Sequence, residues 1–231
     1  MNAYPNISYI ASLLADSTRA VILDALMDGR ALPAGELAYL ARVTAQTASS
    51  HLAKLVEGNL LTVEHQGRHR YYRLANPQVA YLLETISTIA PPVQVRSLKQ
   101  SDQLKQLRFA RTCYDHLAGQ VGVSISQALL ERGYLTENEK EYELTASGHD
   151  WLKHMGLNVE EQRKKRRAFA RKCLDWSERH HHISGSLGVS IASRFVELGW
   201  IAKLPGSRAV VLTDQGKEGL QRELGIRFWV E

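Results

Sequence analysis

Two stretches hold the only cysteines of the chain, RFARTCYDH at residues 108–116 and AFARKCLDW at residues 168–176. Each writes Phe-Ala-Arg-x-Cys-x-Asp, and each is followed by histidine: His116 in the first, and His180, His181 and His182 in the second. Thiolate, carboxylate and imidazole form a soft-to-borderline ligand set for a transition metal, and two copies supply enough side chains for a closed site. The candidates are Cys113, Asp115, His116, Cys173, Asp175 and His182. The spacing is not that of a known zinc motif, so three other readings stand beside it. The cysteines serve as small buried hydrophobes with the aspartates in ion pairs or caps. Alternatively they form a reactive thiol pair, which requires exposure and a lowered pKa. In the last reading an organic ligand occupies an aromatic cleft near them.

The elements that position these residues are themselves duplicated. A shift of sixty aligns Phe109, Cys113 and Asp115 with Phe169, Cys173 and Asp175; past the insertion WSERHH the shift becomes sixty-six and aligns HLAGQVGVSI with HISGSLGVSI. The likeness continues through ERGYL and ELGWI, then YELTASG and VVLTDQG. Such self-similarity marks an internal repeat. Each copy reads as helix, helix, hairpin, helix, a winged-helix-like order without a polar recognition face. Residues 100–231 are therefore expected to form a duplicated domain, with repeats at about 101–157 and 161–226. If FARTCYDH is helical, Arg111 and Asp115 form a four-residue ion pair, as do Arg171 and Asp175. Glycines three apart in AGQVG and SGSLG clear a strip for a close backbone or a flat ligand. Trp151, Trp176, Trp200, Tyr114 and Tyr134 are available to line an apolar pocket between the copies.

Composition sets the frame around both halves. The 231 residues are 44% hydrophobic, enough for two compact cores. Two cysteines, no basic-plus-apolar leader and no long uncharged apolar run give the expectation of a cytoplasmic protein with reduced thiols. The formal charge of +5 resides wholly beyond residue 92: residues 1–92 carry 7 Lys and Arg against 7 Asp and Glu. The run Arg163-Lys164-Lys165-Arg166-Arg167 reads as a solvated helix face rather than a phosphate stripe. The chain shows no Gly-rich phosphate loop, nucleophile elbow or His-Glu-x-x-His pattern, so a non-enzyme is expected.

In the first ninety residues, Asp16-Ser17 precedes an amphipathic segment that stops at Gly29. GELAYLA and AQTASSHLAKLVEGN, with Thr44 as the cap of the latter, make a helix-turn-helix pair. In the second of these helices Leu52, Leu55 and Val56 form an apolar stripe, while Gln46, Thr47, Ser49 and Ser50 load the first turns with short polar groups suited to base edges and phosphates. LLTVEHQGRHRYYRL alternates on both sides of Gln66-Gly67, which predicts a hairpin with Arg68, His69 and Arg70 near its tip. The fold class is thus mainly α with small β-hairpins: a winged helix-turn-helix over residues 1–92, then two winged-helix-like repeats. Arg42, Lys54, Arg68, Arg70 and Arg73 are expected to gather on one face.

The stretch LADSTRAVILDALMDGR, with ELAYLARVTAQTASSHLAKLVEGNLLTVEHQGRHRYYRL after it, resembles the ArsR/SmtB family of bacterial winged-helix repressors over about residues 8–90. The resemblance implies a homodimer, built on the first helix and on NPQVAYLLETISTIA, that binds an imperfect palindrome in double-stranded DNA and leaves it when an inducer arrives. It also implies that Gln46, Thr47, Ser49 and Ser50 read bases or phosphates, that Lys54 holds the backbone, and that Arg68, His69 and Arg70 reach the minor groove. His51 matches the family's histidine and is expected to be structural. The family's usual metal sites are missing: ELAYLA contains no thiol, and Asn76 and Gln78 stand where relatives use carboxylate and imidazole. The effector, a transition metal or a small organic molecule, must therefore enter elsewhere, and the duplicated region is the place for it. Rival readings are an architectural protein that coats DNA nonspecifically and, more distantly, a metal-dependent enzyme fused to a winged helix.

Overall fold

A computed structural model of the chain describes residues 4–67, 69–91, 94–95 and 97–228. The chain divides into two compact units, Met1–Leu83 and Glu84–Glu231, with the boundary inside a helix.

The first unit contains α1 (Ile7–Leu14), α2 (Ser17–Ala25), β1 (Leu32–Pro33), α3 (Ala34–Leu40), α4 (Ala45–Glu57), β2 (Leu61–Gln66), β3 (His69–Leu74) and the start of α5 (Pro77–Ile89). The capping residues read from sequence do cap: Asp16 accepts from the Arg19 N–H and Thr44 from the Thr47 N–H. Arg19 is buried because its guanidinium donates to the Leu13 and Ser12 carbonyls, which satisfies the open end of α1. Ile22, Leu23, Leu26, Leu37, Leu52 and Leu55 have at most 1% exposure, so three helices share one core. Each such side chain stabilises the unit by about 1.5–3 kcal/mol relative to leaving it in water. β2 and β3 pair from Leu61↔Leu74 to Gln66↔His69, and β1, which hydropathy gave no sign of, adds beside β3. The two-residue strand is too short for alternation to register. Helix-turn-helix plus a three-stranded antiparallel sheet is a winged helix, as expected.

The second unit continues with α6 (Leu98–Phe109), β4 (Arg111–Cys113), β5 (His116–Ala118), α7 (Gly119–Glu131), β6 (Leu135–Glu137), β7 (Tyr142–Leu144), α8 (Ala146–His154) and α9 (Val159–Arg163). β8 (Arg171–Leu174), β9 (His181–Ser184), α10 (Gly185–Glu197), β10 (Ile201–Lys203), β11 (Val210–Leu212) and α11 (Asp214–Leu224) follow. From β4 and again from β8 the order is hairpin, helix, hairpin, helix. This corrects the expected helix over FARTCYDH: α6 stops at Phe109, Ala110 is extended, and the segment folds back through a turn with Tyr114 at φ 59°. The physical reason is burial on both faces of β4, whose three residues are all buried, so no polar helical face exists to present to water. The four-residue ion pairs that a helix would have made are accordingly not formed within β4–β5 or β8–β9.

The two sets of elements are interlaced. The Thr112 N–H donates to the Arg208 carbonyl and the Val210 N–H to the Ala110 carbonyl, both at 2.9 Å, so the end of one set's second hairpin flanks the other's first. The reciprocal pair is Tyr142 N–H to the Ala170 carbonyl at 2.8 Å and Lys172 N–H to the Lys140 carbonyl at 3.2 Å. α7 packs on β9, and α10 packs on β5. The resulting core mixes both sets, with Leu117, Val121, Ile125 and Leu129 among Ile183, Leu187, Ile191 and Phe195.

Candidate functional site

On α4 the apolar stripe Ala48, Leu52 and Leu55 is fully buried, which turns Gln46, Thr47, Ser49, Ser50 and Lys54 outward; all five are exposed. The structure therefore turns the five to solvent along α4, with Gln46, Thr47, Ser49 and Ser50 in its first half and Lys54 in its last turn. Thr47 is held by its own turn, with its hydroxyl 2.9 Å from that of Thr44. His51 lies half-buried, its Nδ1 3.4 Å from Arg19 and 3.6 Å from Asp16, which is the structural role expected of it. On the wing, His69 and Arg70 are exposed, whereas Arg68 lies outside the described residues. Arg73 is engaged by Glu64 at 2.6 Å across the β2–β3 ladder, so it braces the wing. Such a row of short polar groups and a lysine, beside an exposed basic strand end, suits phosphates and base edges in a groove.

The second constellation is buried. Cys113 faces His116 across the β4–β5 ladder, and Cys173 faces His182 across the β8–β9 ladder. The two hairpins bring the four side chains together: the sulfurs of Cys113 and Cys173 are 3.9 Å apart, and the Nε2 atoms of His116 and His182 are 3.1 Å apart. All four ligand atoms lie within 4.8 Å of one another, and all four residues are buried. The thiols are not joined in a disulfide.

Asp115 and Asp175 are placed differently from their sequence expectation. Neither is among the four converging atoms; each stands behind a histidine, Asp115 at 3.3 Å from His116 Nδ1 and Asp175 at 3.5 Å from His182 Nδ1. Their ion pairs run between the sets rather than within them. Arg111 donates to Asp175 at 2.9 Å with both side chains fully buried, and Arg167 pairs with Asp115. The Asp175 carboxylate also accepts from the Gly119 N–H at 2.7 Å and from the Ser177 N–H and hydroxyl at 2.9 and 2.8 Å. Through its pair with Asp115 one residue of the basic run, Arg167, is half-buried, and Arg163 lies over the Phe169 ring at 4.2 Å. Sequence reasoning missed Arg111 and Arg167 as partners because their carboxylates lie more than fifty positions away.

Electrostatics follow from this geometry. Burial raises the Asp175 carboxyl, but the charges of Arg111 and His182 outweigh it and hold the group well below the usual carboxylate range. Burial pulls the His116 imidazolium down, yet Cys113 and the Asp115 carboxylate more than offset this and bring it to about 9. His182 is held well below its ordinary value by burial and by the charge on His116, against the pull of Asp175. A hydrogen bond in which the Cys113 thiol donates to the Cys173 sulfur, together with burial, pushes the Cys113 thiol well up, so the reactive-thiol reading loses the lowered pKa and the exposure it requires.

The glycine strips serve packing. A Cβ on Gly122 would sit 2.6 Å from the Leu117 carbonyl oxygen, and one on Gly188 would sit 2.5 Å from that of Ile183. Backbone fills the space that a flat ligand would need. The aromatic pocket is likewise corrected: Trp151 stacks on Tyr134 with centroids 5.4 Å apart and Trp200 packs on Phe195 at 4.8 Å, all within or against the core. Large rings in a close-packed interior do better against one another than around a void. Trp176 lines a cavity of about 390 Å³ with Leu104, Arg108, Arg179 and Arg208. Arg208 is anchored there by the buried Glu84 carboxylate at 2.9 Å. Among the described residues no helix is long and apolar enough to cross a membrane.

Comparison with known proteins places these observations. Residues 14–64 match the family described as "Helix-turn-helix domain". The chain is 52% identical over 224 residues to the uncharacterized HTH-type transcriptional regulator YdfF of Bacillus subtilis (strain 168), covering 97% of this chain and 99% of that one. Among solved structures, NolR from Sinorhizobium fredii is similar at 24% identity over 40% of this chain and all of its own, with a TM-score of 0.35. The homodimeric winged helix-turn-helix DNA-binding domain Mb0332 from Mycobacterium bovis, a possible ArsR-family regulator, is similar at 25% identity over 38% of this chain and 89% of its own, with a TM-score of 0.34.

Proposed function

Since the chain belongs to the HTH-type transcriptional regulators and carries an ArsR-type winged helix, we propose that it is a homodimeric repressor of a two-fold operator, released by an effector acting on the second unit. The observation that carries this reading is the exposed row Gln46, Thr47, Ser49, Ser50 and Lys54 on α4, backed by a fully buried apolar stripe. α4 enters the major groove with this row, and the wing, through His69 and Arg70, reaches the neighbouring minor groove. Two copies present two such helices about 34–36 Å apart, one turn of DNA. The dimer surface is supplied by apolar residues left open on α1 and α5: Ile7 is 76% exposed and Ile89 81%, with Tyr81, Leu82 and Ile86 between 36% and 45%. The effector prefers the state with mis-spaced recognition helices and lowers operator affinity by its differential binding energy.

Footprinting with the full chain over its own promoter region tests the reading. Protection of one or a few inverted repeats is expected. Uniform coating of DNA, with a steep loss as salt rises and no preferred sequence, would instead establish the architectural role.

A further inference from the structure

The geometry points to a buried transition-metal site in the second unit, in which Cys113, His116, Cys173 and His182 hold one divalent ion of the zinc type in a closed tetrahedral S₂N₂ shell. The ligands come in two matched pairs, a cysteine and the histidine opposite it on the β4–β5 ladder and the same pair on β8–β9. With metal–sulfur bonds of about 2.3 Å and metal–nitrogen bonds of about 2.05 Å, a tetrahedral centre sets its sulfurs about 3.8 Å apart and its nitrogens about 3.3 Å apart. Two of the observed separations, 3.9 Å for the sulfurs and 3.1 Å for the Nε2 atoms, match that centre within a few tenths of an ångström, while the four atoms together spread over up to 4.8 Å and draw in by about 1 Å around an ion.

The outer partners carry the argument further. The His116 Nδ1 is within hydrogen-bond distance of Asp115, which sets that ring to present an Nδ1–H there and a lone pair at Nε2. The buried His182 Nδ1 makes no hydrogen bond but stands 3.5 Å from the Asp175 carboxylate, whose charge favours the same tautomer. Two lone pairs meeting at 3.1 Å call for a cation between them. A single proton between the nitrogens answers that need, but it gives no reason for two thiols to complete the group at mutual distances under 4.8 Å. A thiophilic ion answers both. Carboxylate behind imidazole is the usual support of a metal-bound histidine: it fixes the tautomer and raises ligand basicity. The four protein ligands leave no open position, so the ion clamps the two hairpins and performs no catalysis.

The assignment is independent of the operator reading, because its readout is spectroscopic. Full-length reduced protein, stripped with chelator, is titrated with Co(II). One ion per chain is expected, with intense visible ligand-field bands of a tetrahedral centre and a sulfur-to-cobalt charge-transfer band, both abolished by one equivalent of Zn(II). Cys173→Ser is expected to remove much of the charge-transfer intensity. Asp115→Asn, a change to a positioning residue, is expected to keep the spectrum and weaken affinity about 10–100-fold. X-ray absorption of the Zn(II)-loaded wild type is expected to show two sulfurs at about 2.3 Å and two nitrogens at about 2.0–2.1 Å. Failure of the reduced wild type to take up Co(II), a weak octahedral spectrum, or a zinc shell of oxygen and nitrogen only overturns the proposal without touching the DNA-binding reading.

Discussion

Replacing Asp175 by Asn tests how the interlaced unit holds a buried charge. Arg111 and Asp175 are both fully buried and 2.9 Å apart, and breaking such a pair from one side costs about 3–5 kcal/mol because a charge is left without compensation. The local geometry puts this substitution in the upper part of that range. One carboxylate oxygen accepts from Arg111 and the Gly119 N–H, and the other from Ser177 and the Glu178 N–H. Whichever way the Asn amide turns, its NH₂ faces a set of donors. All four tryptophans lie beyond residue 150, so their fluorescence reports on this unit. Urea unfolding of chelator-treated protein is expected to show the loss as a lowered midpoint at unchanged slope, and a melt as a drop of about 6–20 °C. Arg111→Met alone should cost a similar amount, and the double variant should cost less than the two together by about 1–3 kcal/mol. A loss below about 1 kcal/mol for Asp175→Asn, or strict additivity, would refute the reasoning.

Lys54→Ala is expected to weaken operator binding for every sequence alike and to flatten the dependence of log K on log salt by about 0.9 per protomer, measured by fluorescence anisotropy; an unchanged slope removes Lys54 from the phosphate contacts. Ile86→Asp with Ile89→Asp is expected to convert the proposed dimer to monomer in analytical ultracentrifugation; a dimer that persists in the variant, or a wild type that is itself monomeric, would remove α5 from the proposed interface. Asp16→Ala is expected to cost about 1 kcal/mol through loss of the α2 cap. Because the Arg19 N–H holds the Asp16 carboxyl below its ordinary value, this contribution is present above the unfolded carboxyl's titration and fades as pH falls through the lowered one. The gap between wild type and variant should therefore close in acid, and a gap that widens there would contradict the assignment.

Much of the first unit was legible because its signals are local. Asp16 and Thr44 announce helix starts, Gln66-Gly67 announces a turn, and the division between Leu52 or Leu55 and Ser49 or Ser50 lies within a few turns of one helix. The metal candidates were legible for another reason: the internal likeness aligned Cys113 with Cys173 and His116 with His182, and the structure brings these equivalent residues together. What failed was anything set by partners distant in the chain. The segment around Cys113 has helical spacing of Phe109 and Cys113, but its environment is buried on every side, and tertiary pairing with Ala209 and Val210 overrides the local pattern. Asp115 and Asp175 were ranked with the ligands because they neighbour the cysteines, whereas both lie in the connections that follow β4 and β8, where cross-set pairs with Arg167 and Arg111 hold them behind the histidines.

The reciprocal strand pairing bears on how the protein is made. The backbone of Ala110 waits for Val210, one hundred residues later, and Tyr142 waits for Ala170. At about 5–20 residues per second a ribosome needs about 5–20 s to cover that distance, during which β4 emerges with an open edge and apolar neighbours. Until the later elements are made, the earlier ones thus expose an edge that another chain is able to pair with. Synthesis rate and chaperone supply, more than the final stability, should then govern how much of this regulator reaches its working form in the cell.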